Sequence, residues 1–148
     1  MIPVPGKTLT DIALRVATSL APAASNNYAA ADAGIITGLL LTLAQDYERS
    51  IDSPMQDIAE IKLLCAELLS LPEDTLEDFD GAPACLSFID VQPASFKLAD
   101  VTTLHAQALK LLIDIHTWAE LHDEGINLQV WQLLRRHSER NKFDIPGP

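Results

Sequence analysis

The sequence has few of the residues that interrupt helices or build sheets. Its 148 residues include only six glycines, and aromatic residues make up 5% of the chain. β-Branched and aromatic residues never gather into the repeated alternating runs that indicate β-strands, whereas Ala and Leu are abundant. We therefore predict an all-α protein, and the length favours a single domain over residues 1–148.

Positive charge is also scarce. Ten Lys and Arg residues stand against 21 Asp and Glu residues, which gives a formal net charge of −11. An acidic surface repels the phosphates of nucleic acids and of anionic membranes, so we expect neither as a partner. The most apolar run, residues 33–44, is shorter than the roughly 20 residues that cross a bilayer, and the first residues lack the pattern of a signal peptide. These features predict a cytoplasmic protein.

Motifs of catalysis and of disulfide frameworks are missing. The chain contains no G-x-S-x-G, no P-loop and no G-x-G-x-x-G, so no catalytic residue and no cofactor are predicted. An active site assembled from distant residues stays open, but we lean against an enzyme. The two cysteines do not make a disulfide framework. Cys65 lies in an apolar helical run, where a free thiol acts as a small apolar residue, and the state of Cys85 is open.

Apolar residues at helical spacing predict a bundle of four to five helices. We expect up-down hairpins, including one between the second and third helices, joined by an irregular crossover around residues 73–98. Residues 1–7 form an extended lead-in, and residues 143–148 form a tail. The predicted helices cover residues 9–20, 28–52, 53–71, 100–122 and 127–142.

Three of these helices carry apolar stripes that we expect to be buried. Each stripe follows the three- and four-residue spacing of one helix face. The stripes are Met55, Ile58, Ile61, Cys65 and Leu68 in the third helix; Val101, Leu104, Ala108, Leu111, Leu112, Ile115, Trp118 and Ala119 in the fourth; and Leu128, Val130, Trp131 and Leu134 in the last.

The second helix, residues 28–52, is apolar or small on nearly every face over its first two-thirds. A helix that is apolar all round is normally surrounded by other elements, so we predict that it is the buried central helix. Ala30, Gly34 and Gly38 place small residues on one face at four-residue intervals. Each glycine costs a helix roughly 1 kcal/mol relative to alanine, and close helix packing at these residues would compensate for that cost.

One segment resembles part of a known family. The residues Phe96-Lys97-Leu98-Ala99-Asp100, followed by a helix that runs through Gly125, resemble a helix of the C-terminal bundle of acyl-CoA dehydrogenases. The resemblance covers about 30 residues. It implies a helical bundle, and it carries over no flavin-binding or catalytic residue because the rest of the chain does not resemble that family.

A metal half-site is the strongest metal signal in the sequence. His116 and Glu120 are four residues apart and therefore share a helix face. His105 is three turns away, about 16 Å along the helix, and cannot join them. No Glu-x-x-His motif occurs, which argues against a di-iron bundle. We interpret His105 and His116 as residues at the boundary of the apolar stripe and predict no metal site beyond this weak half-site.

Two charged clusters are candidate interaction patches. The acidic one falls in the predicted crossover, and the basic one falls at the end of the last helix, where cations favour the helix dipole. Either could contact a partner protein, and the basic cluster could also hold a phosphate. The acidic patch is Glu73, Asp74, Glu77, Asp78 and Asp80, and the basic patch is Arg135, Arg136, Arg140 and Lys142.

The features above favour a protein that acts by association. Apolar helix faces are in surplus, small residues are spaced for helix packing, and no coherent catalytic set is present. We expect a homodimer or a module that binds another protein. The alternative is a bundle that binds a small molecule or a metal between its helices.

Overall fold

The computed structural model of this chain describes residues 4–144. These residues form six α-helices and contain no β-strand, which confirms the all-α prediction. The helices pack in pairs, as in a helical bundle. They are α1 (Pro5–Arg15), α2 (Asn27–Arg49), α3 (Asp52–Leu68), α4 (Ala82–Ile89), α5 (Leu98–His122) and α6 (Glu124–Arg140).

The helices divide into two compact units. The first contains α1 and α2 with the segment that starts at Phe143, and the second runs from Ile51 to Lys142 and contains α3 to α6. The single domain expected from the length stays a prediction.

In the first unit, α1 packs along α2. The helix α1 begins at Pro5, where a proline is tolerated because the first N–H groups of a helix have no intrahelical partner. The predicted lead-in is therefore wrong for residues 5–7, and residues 1–3 lie outside the described part. The helix continues as a π-helical turn over Val16–Leu20. Asn26 caps α2 by accepting a hydrogen bond from the Ala29 N–H at 2.9 Å.

The prediction that α2 is the buried central helix is wrong within this chain. Only Ala33 and Ala44 of its residues are buried. Gly34 and Gly38 meet no neighbouring atom, because a Cβ built at either position has no heavy atom of another element within 4 Å among the described residues. The apolar composition of α2 does not tell whether the same chain supplies the surface that covers it.

The end of α2 holds residues that were predicted to be a tail. The Gln45 side-chain amide donates to the Asp144 carbonyl and accepts from the Asp144 N–H, both at 2.9 Å. The Arg49 guanidinium lies 4.5 Å from the centre of the Phe143 ring. Residues 143 and 144 are therefore attached to α2, and residues 145–148 lie outside the described part.

The core of the second unit is built around α3 and α5. All eight residues of the predicted stripe from Val101 to Ala119 are buried, as are Ile58, Ile61, Cys65 and Leu68. Met55 packs against this core while only partly buried.

The predicted stripe of α6 is correct for Val130, which is buried, and Leu134 packs against the core while partly buried. It is wrong for Leu128 and Trp131, which are exposed, and it lacks the buried residues Ile126 and Leu133. The stripe omits Ile126 because Gly125 is predicted to end the preceding helix. Asp123 instead caps α6 by accepting from the Ile126 N–H at 2.9 Å, which places Gly125 in the first turn of α6.

The predicted irregular crossover contains regular structure. Glu73–Leu76 form a 3₁₀ turn, and α4 follows. Phe79 is buried between them, with its ring centre 5.4 Å from that of Trp118. Cys65 and Cys85 are free and fully buried. The hydrogen bond with Cys85, together with burial, raises the pKa of the Cys65 thiol, so this thiol is unreactive near neutral pH.

Candidate functional site

Polar side chains occupy core positions at one end of the second unit. In α3, Asp57 precedes Ile61, Leu64 and Leu68 at spacings of four, three and four residues. In α6, the buried residues Ile126, Val130 and Leu133 are followed at the same spacing by His137 and Arg140. In α5, His105 lies four residues after Val101. The packing that builds the core therefore also brings these polar residues together.

Asp57 is the centre of this group. Its side chain is only 1% exposed. His105 Nε2 lies 2.9 Å from Asp57 Oδ2, and His137 Nδ1 lies 2.6 Å from the same oxygen. The other oxygen, Oδ1, accepts a hydrogen bond from Arg140. Both carboxylate oxygens of Asp57 are thus engaged by groups from two other helices.

Glu60, one turn after Asp57, extends the group toward solvent. Arg140 Nη1 lies 2.8 Å from Glu60 Oε1, and Arg136 Nε lies 3.1 Å from Glu60 Oε2. The Arg140 guanidinium therefore bridges two carboxylates of α3. We call Asp57, Glu60, His105, His137 and Arg140 the Asp57 cluster.

Asn141 supports His137 from the end of α6. Its side-chain amide donates to the His137 carbonyl at 2.9 Å, and its Nδ2 lies 3.3 Å from His137 Nδ1. The Ser53 hydroxyl donates to Asn141 Oδ1 at 3.2 Å. These contacts limit the movement of the His137 ring beside Asp57.

The electrostatics of the cluster favour an ionised Asp57. Burial alone would raise the pKa of this carboxyl group, but the hydrogen bonds from His105, Arg140 and His137 outweigh burial and lower the pKa from 3.8 to about 2. The pKa of Glu60 is also lowered, since the hydrogen bonds from Arg140 and Arg136 outweigh its partial burial. Asp57 is thus a buried anion at neutral pH.

This arrangement can hold a cation. Among residues 4–144, Asp57, His105 and His137 are the only group of three or more His, Cys, Asp or Glu residues whose ligand atoms all lie within 4.8 Å of one another. His137 is 35% exposed, which gives the site access to solvent. Imidazole and carboxylate are common ligands of transition metals.

The two residues of the predicted half-site, His116 and Glu120, lie close together in the structure. His116 Nε2 lies 3.4 Å from Glu120 Oε1, and the His116 ring meets the Trp131 ring edge-on with centres 5.3 Å apart. No further potential ligand joins this pair in the described residues. His105 does not join it either, as expected, because it contacts Asp57 instead.

The two predicted charged patches have different surroundings. All five acids of the acidic patch are exposed, and Asp78 Oδ2 lies 3.9 Å from His122 Nε2. The basic patch is divided, because Arg136 and Arg140 point to α3 and form ion pairs there. Arg135 is exposed, and Lys142 lies 3.7 Å from Glu139.

A second candidate surface lies on α2. Ile35, Leu39 and Leu43 are more than half exposed, and Gly34 and Gly38 lie beside them on the helix. We call these five residues the exposed face of α2. Four of them line a groove of about 500 Å³ together with Thr37, Leu41, Thr42, Gln45 and Asp144.

By length and composition, α2 could also cross a membrane. The helix has 23 residues, and its most apolar 18-residue window has a mean hydropathy of 1.3 with 11% of that window buried. The length of residues 33–44 therefore underestimated the apolar length of this helix. A core helix or a signal sequence can meet the same criteria, so the expected cytoplasmic location stays a prediction.

Asp57 and His137 were not predicted as site residues, and His105 was predicted only as a residue at the boundary of the apolar stripe. A usable signal was present, since each of these polar residues continues a core stripe where an apolar residue would be expected. Buried polar positions of this kind require a partner. Which residues become partners depends on how three helices pack together. The residue spacing within one helix does not predict that packing.

Comparison with protein-family models, with curated proteins and with solved structures gives no match for this chain.

Proposed function

We propose that this protein acts by association with a second copy of itself, and that the exposed face of α2 forms the contact. The supporting observation is the exposure of Ile35, Leu39 and Leu43 on a helix that has almost no charged side chain in its central part. Contiguous apolar surface of this kind on a soluble protein marks an interaction site.

The composition of the exposed face of α2 favours a second copy over an unrelated partner. Large side chains, Ile35 and Leu39, alternate with Gly34 and Gly38, at which a neighbouring helix meets no side chain. In a two-fold symmetric contact the same patch faces itself, so the large residues of each copy can fill the gaps beside the glycines of the other. Two α1–α2 hairpins would then make a four-helix bundle.

The charges on α1 argue against membrane insertion of this hairpin. Lys7, Asp11 and Arg15 belong to the helix that packs along α2, and Lys7 pairs with Asp11 at 2.7 Å. A bilayer would have to accommodate these charges together with α2, which is costly in hydrocarbon. We propose neither a membrane nor a nucleic acid as the partner.

Light scattering on the purified chain over a range of micromolar concentrations tests the proposal. We expect the measured mass to rise to twice the chain mass of 16.1 kDa. A constant mass of one chain across the range would contradict the proposed dimer. Flotation with phosphatidylcholine vesicles is the companion measurement, and binding of the protein to the vesicles would favour a membrane as the occupant of this face.

A further inference from the structure

We propose that Asp57, His105 and His137 form a binding site for one divalent transition-metal ion, with Zn²⁺ as the reference ion. The three residues come from three helices, and each contributes one ligand atom to a group that spans no more than 4.8 Å. The proposal does not depend on the dimer, because all three residues belong to the second unit and none to α2.

The distances suit an ion of this size. Bonds from Zn²⁺ to His nitrogen and carboxylate oxygen are about 2.1 Å, which places neighbouring ligand atoms about 3.0–3.4 Å apart. His105 Nε2 and His137 Nδ1 lie 2.9 Å and 2.6 Å from Asp57 Oδ2. The two nitrogen–oxygen distances therefore need to lengthen by less than about 1 Å to admit the ion, and the two ring nitrogens already lie within 4.8 Å of each other.

The histidine rings can present lone pairs to one ion. Two ring nitrogens face one carboxylate oxygen. A histidine binds a metal through the lone pair of one ring nitrogen, while the other ring nitrogen can carry the proton. The lone pairs of His105, His137 and Asp57 can then all point at one ion.

Arg140 binds the other carboxylate oxygen of Asp57. It binds Asp57 Oδ1 and Glu60, whereas both histidines approach Oδ2. Arg140 and Arg136 together balance the charges of Asp57 and Glu60. Arg140 and Glu60 can thus act as an outer shell that fixes the orientation of Asp57, as outer-shell partners do in metal sites.

The ligand set selects the class of metal. Ca²⁺ and Mg²⁺ prefer oxygen ligands, whereas two imidazoles and one carboxylate suit Zn²⁺, Fe²⁺, Ni²⁺ and Cu²⁺. Three protein ligands leave at least one coordination position open, which distinguishes this site from structural zinc sites with four protein ligands. The exposure of His137 places that open position within reach of water or a small anion.

Titration of the chelator-treated protein with Zn²⁺ tests the proposal without any mutation. Two-dimensional NMR of the histidine rings separates the four histidines of the chain. We expect saturation at one ion per chain, with ring signals of His105 and His137 that shift while those of His116 and His122 do not. Absence of binding, or shifts confined to His116 and His122, would overturn the proposal.

Variants give a second, independent readout. We expect His137→Gln to weaken Zn²⁺ binding more than about 100-fold, which exceeds the 10–100-fold effect of losing an outer-shell partner. The matched control is His122→Gln, which should bind Zn²⁺ as the unmodified chain does. Far-UV circular dichroism confirms that each variant is folded. A folded His137→Gln variant with unchanged affinity would contradict the proposal.

Discussion

His137 Nδ1 lies 2.6 Å from Asp57 Oδ2, across 80 residues of chain. The contact joins the end of α6 to the beginning of α3, at positions where the apolar stripes of both helices would otherwise continue. Because the Asp57 side chain is almost completely buried, its charge requires partners within the protein. The cluster is thus both a packing element of the second unit and a set of potential metal ligands.

Arg140 is expected to be the cation on which the stability of the cluster depends most. Replacing it in Arg140→Ala leaves Asp57 with a buried charge and one fewer partner, and we expect a loss of about 3 kcal/mol in the free energy of unfolding. Urea unfolding measures this. Arg136→Ala is the matched control, because Arg136 also pairs with Glu60 but is 51% exposed, and its loss should cost at most about 1 kcal/mol. Equal effects of the two substitutions would contradict this ranking.

Two glycines should respond oppositely to a single added methyl group. At Gly38 a Cβ meets no neighbouring atom among the described residues, whereas at Gly81 it would overlap the Phe79 ring. At protein concentrations below those at which the proposed dimer forms, where Gly38 faces solvent, we expect Gly38→Ala to stabilise the chain by up to about 1 kcal/mol through helix propensity. Gly81→Ala should destabilise it by about 1–3 kcal/mol, as overpacking does. Thermal unfolding distinguishes the two variants, and a stabilising Gly81→Ala would show that the Phe79 ring does not pack against Gly81.

The lowered pKa of Asp57 predicts a pH dependence in metal-free buffer. A carboxyl group whose pKa falls from 3.8 in the unfolded chain to about 2 in the folded chain contributes stability above pH 4, and this contribution is lost as the pH falls toward 2. The contribution is about 2 kcal/mol.

The comparison of the unmodified chain with Asp57→Asn isolates this effect from the other carboxyl groups. We expect the difference in unfolding free energy between the two proteins to shrink as the pH is lowered from 5 to 2 in a series of urea titrations. A difference that stays constant with pH would mean that Asp57 titrates alike in the folded and unfolded chains.

The sequence was most informative where one helix meets a core along its whole length. The eight apolar residues predicted for α5 are all buried, since a stripe about 100° wide or more has only one way to face a core. In α6 the same reasoning was correct for Val130 but did not include Ile126, because Gly125 is predicted to end the preceding helix whereas the Asp123 cap places it in the first turn of α6. An error of this kind removes residues from the predicted face.

The Asp57 cluster and the exposure of α2 could not be predicted from local sequence patterns. The pairing of His105 with Asp57 spans 48 residues, and it depends on the relative rotation of two packed helices. The apolar character of α2 was readable, but the sequence does not state which surface covers it. Burial by the same chain and burial by a second copy require the same apolar residues.

The most direct test of the proposed association places one charge on the exposed face of α2. Leu39→Glu introduces a carboxylate at the centre of the proposed contact, and sedimentation velocity should show that it shifts the protein from two chains to one. Leu121→Glu is the control, because Leu121 is also exposed but belongs to α5, and this variant should remain dimeric. A Leu39→Glu variant that stays dimeric would contradict the account, and so would loss of the dimer in Leu121→Glu alone.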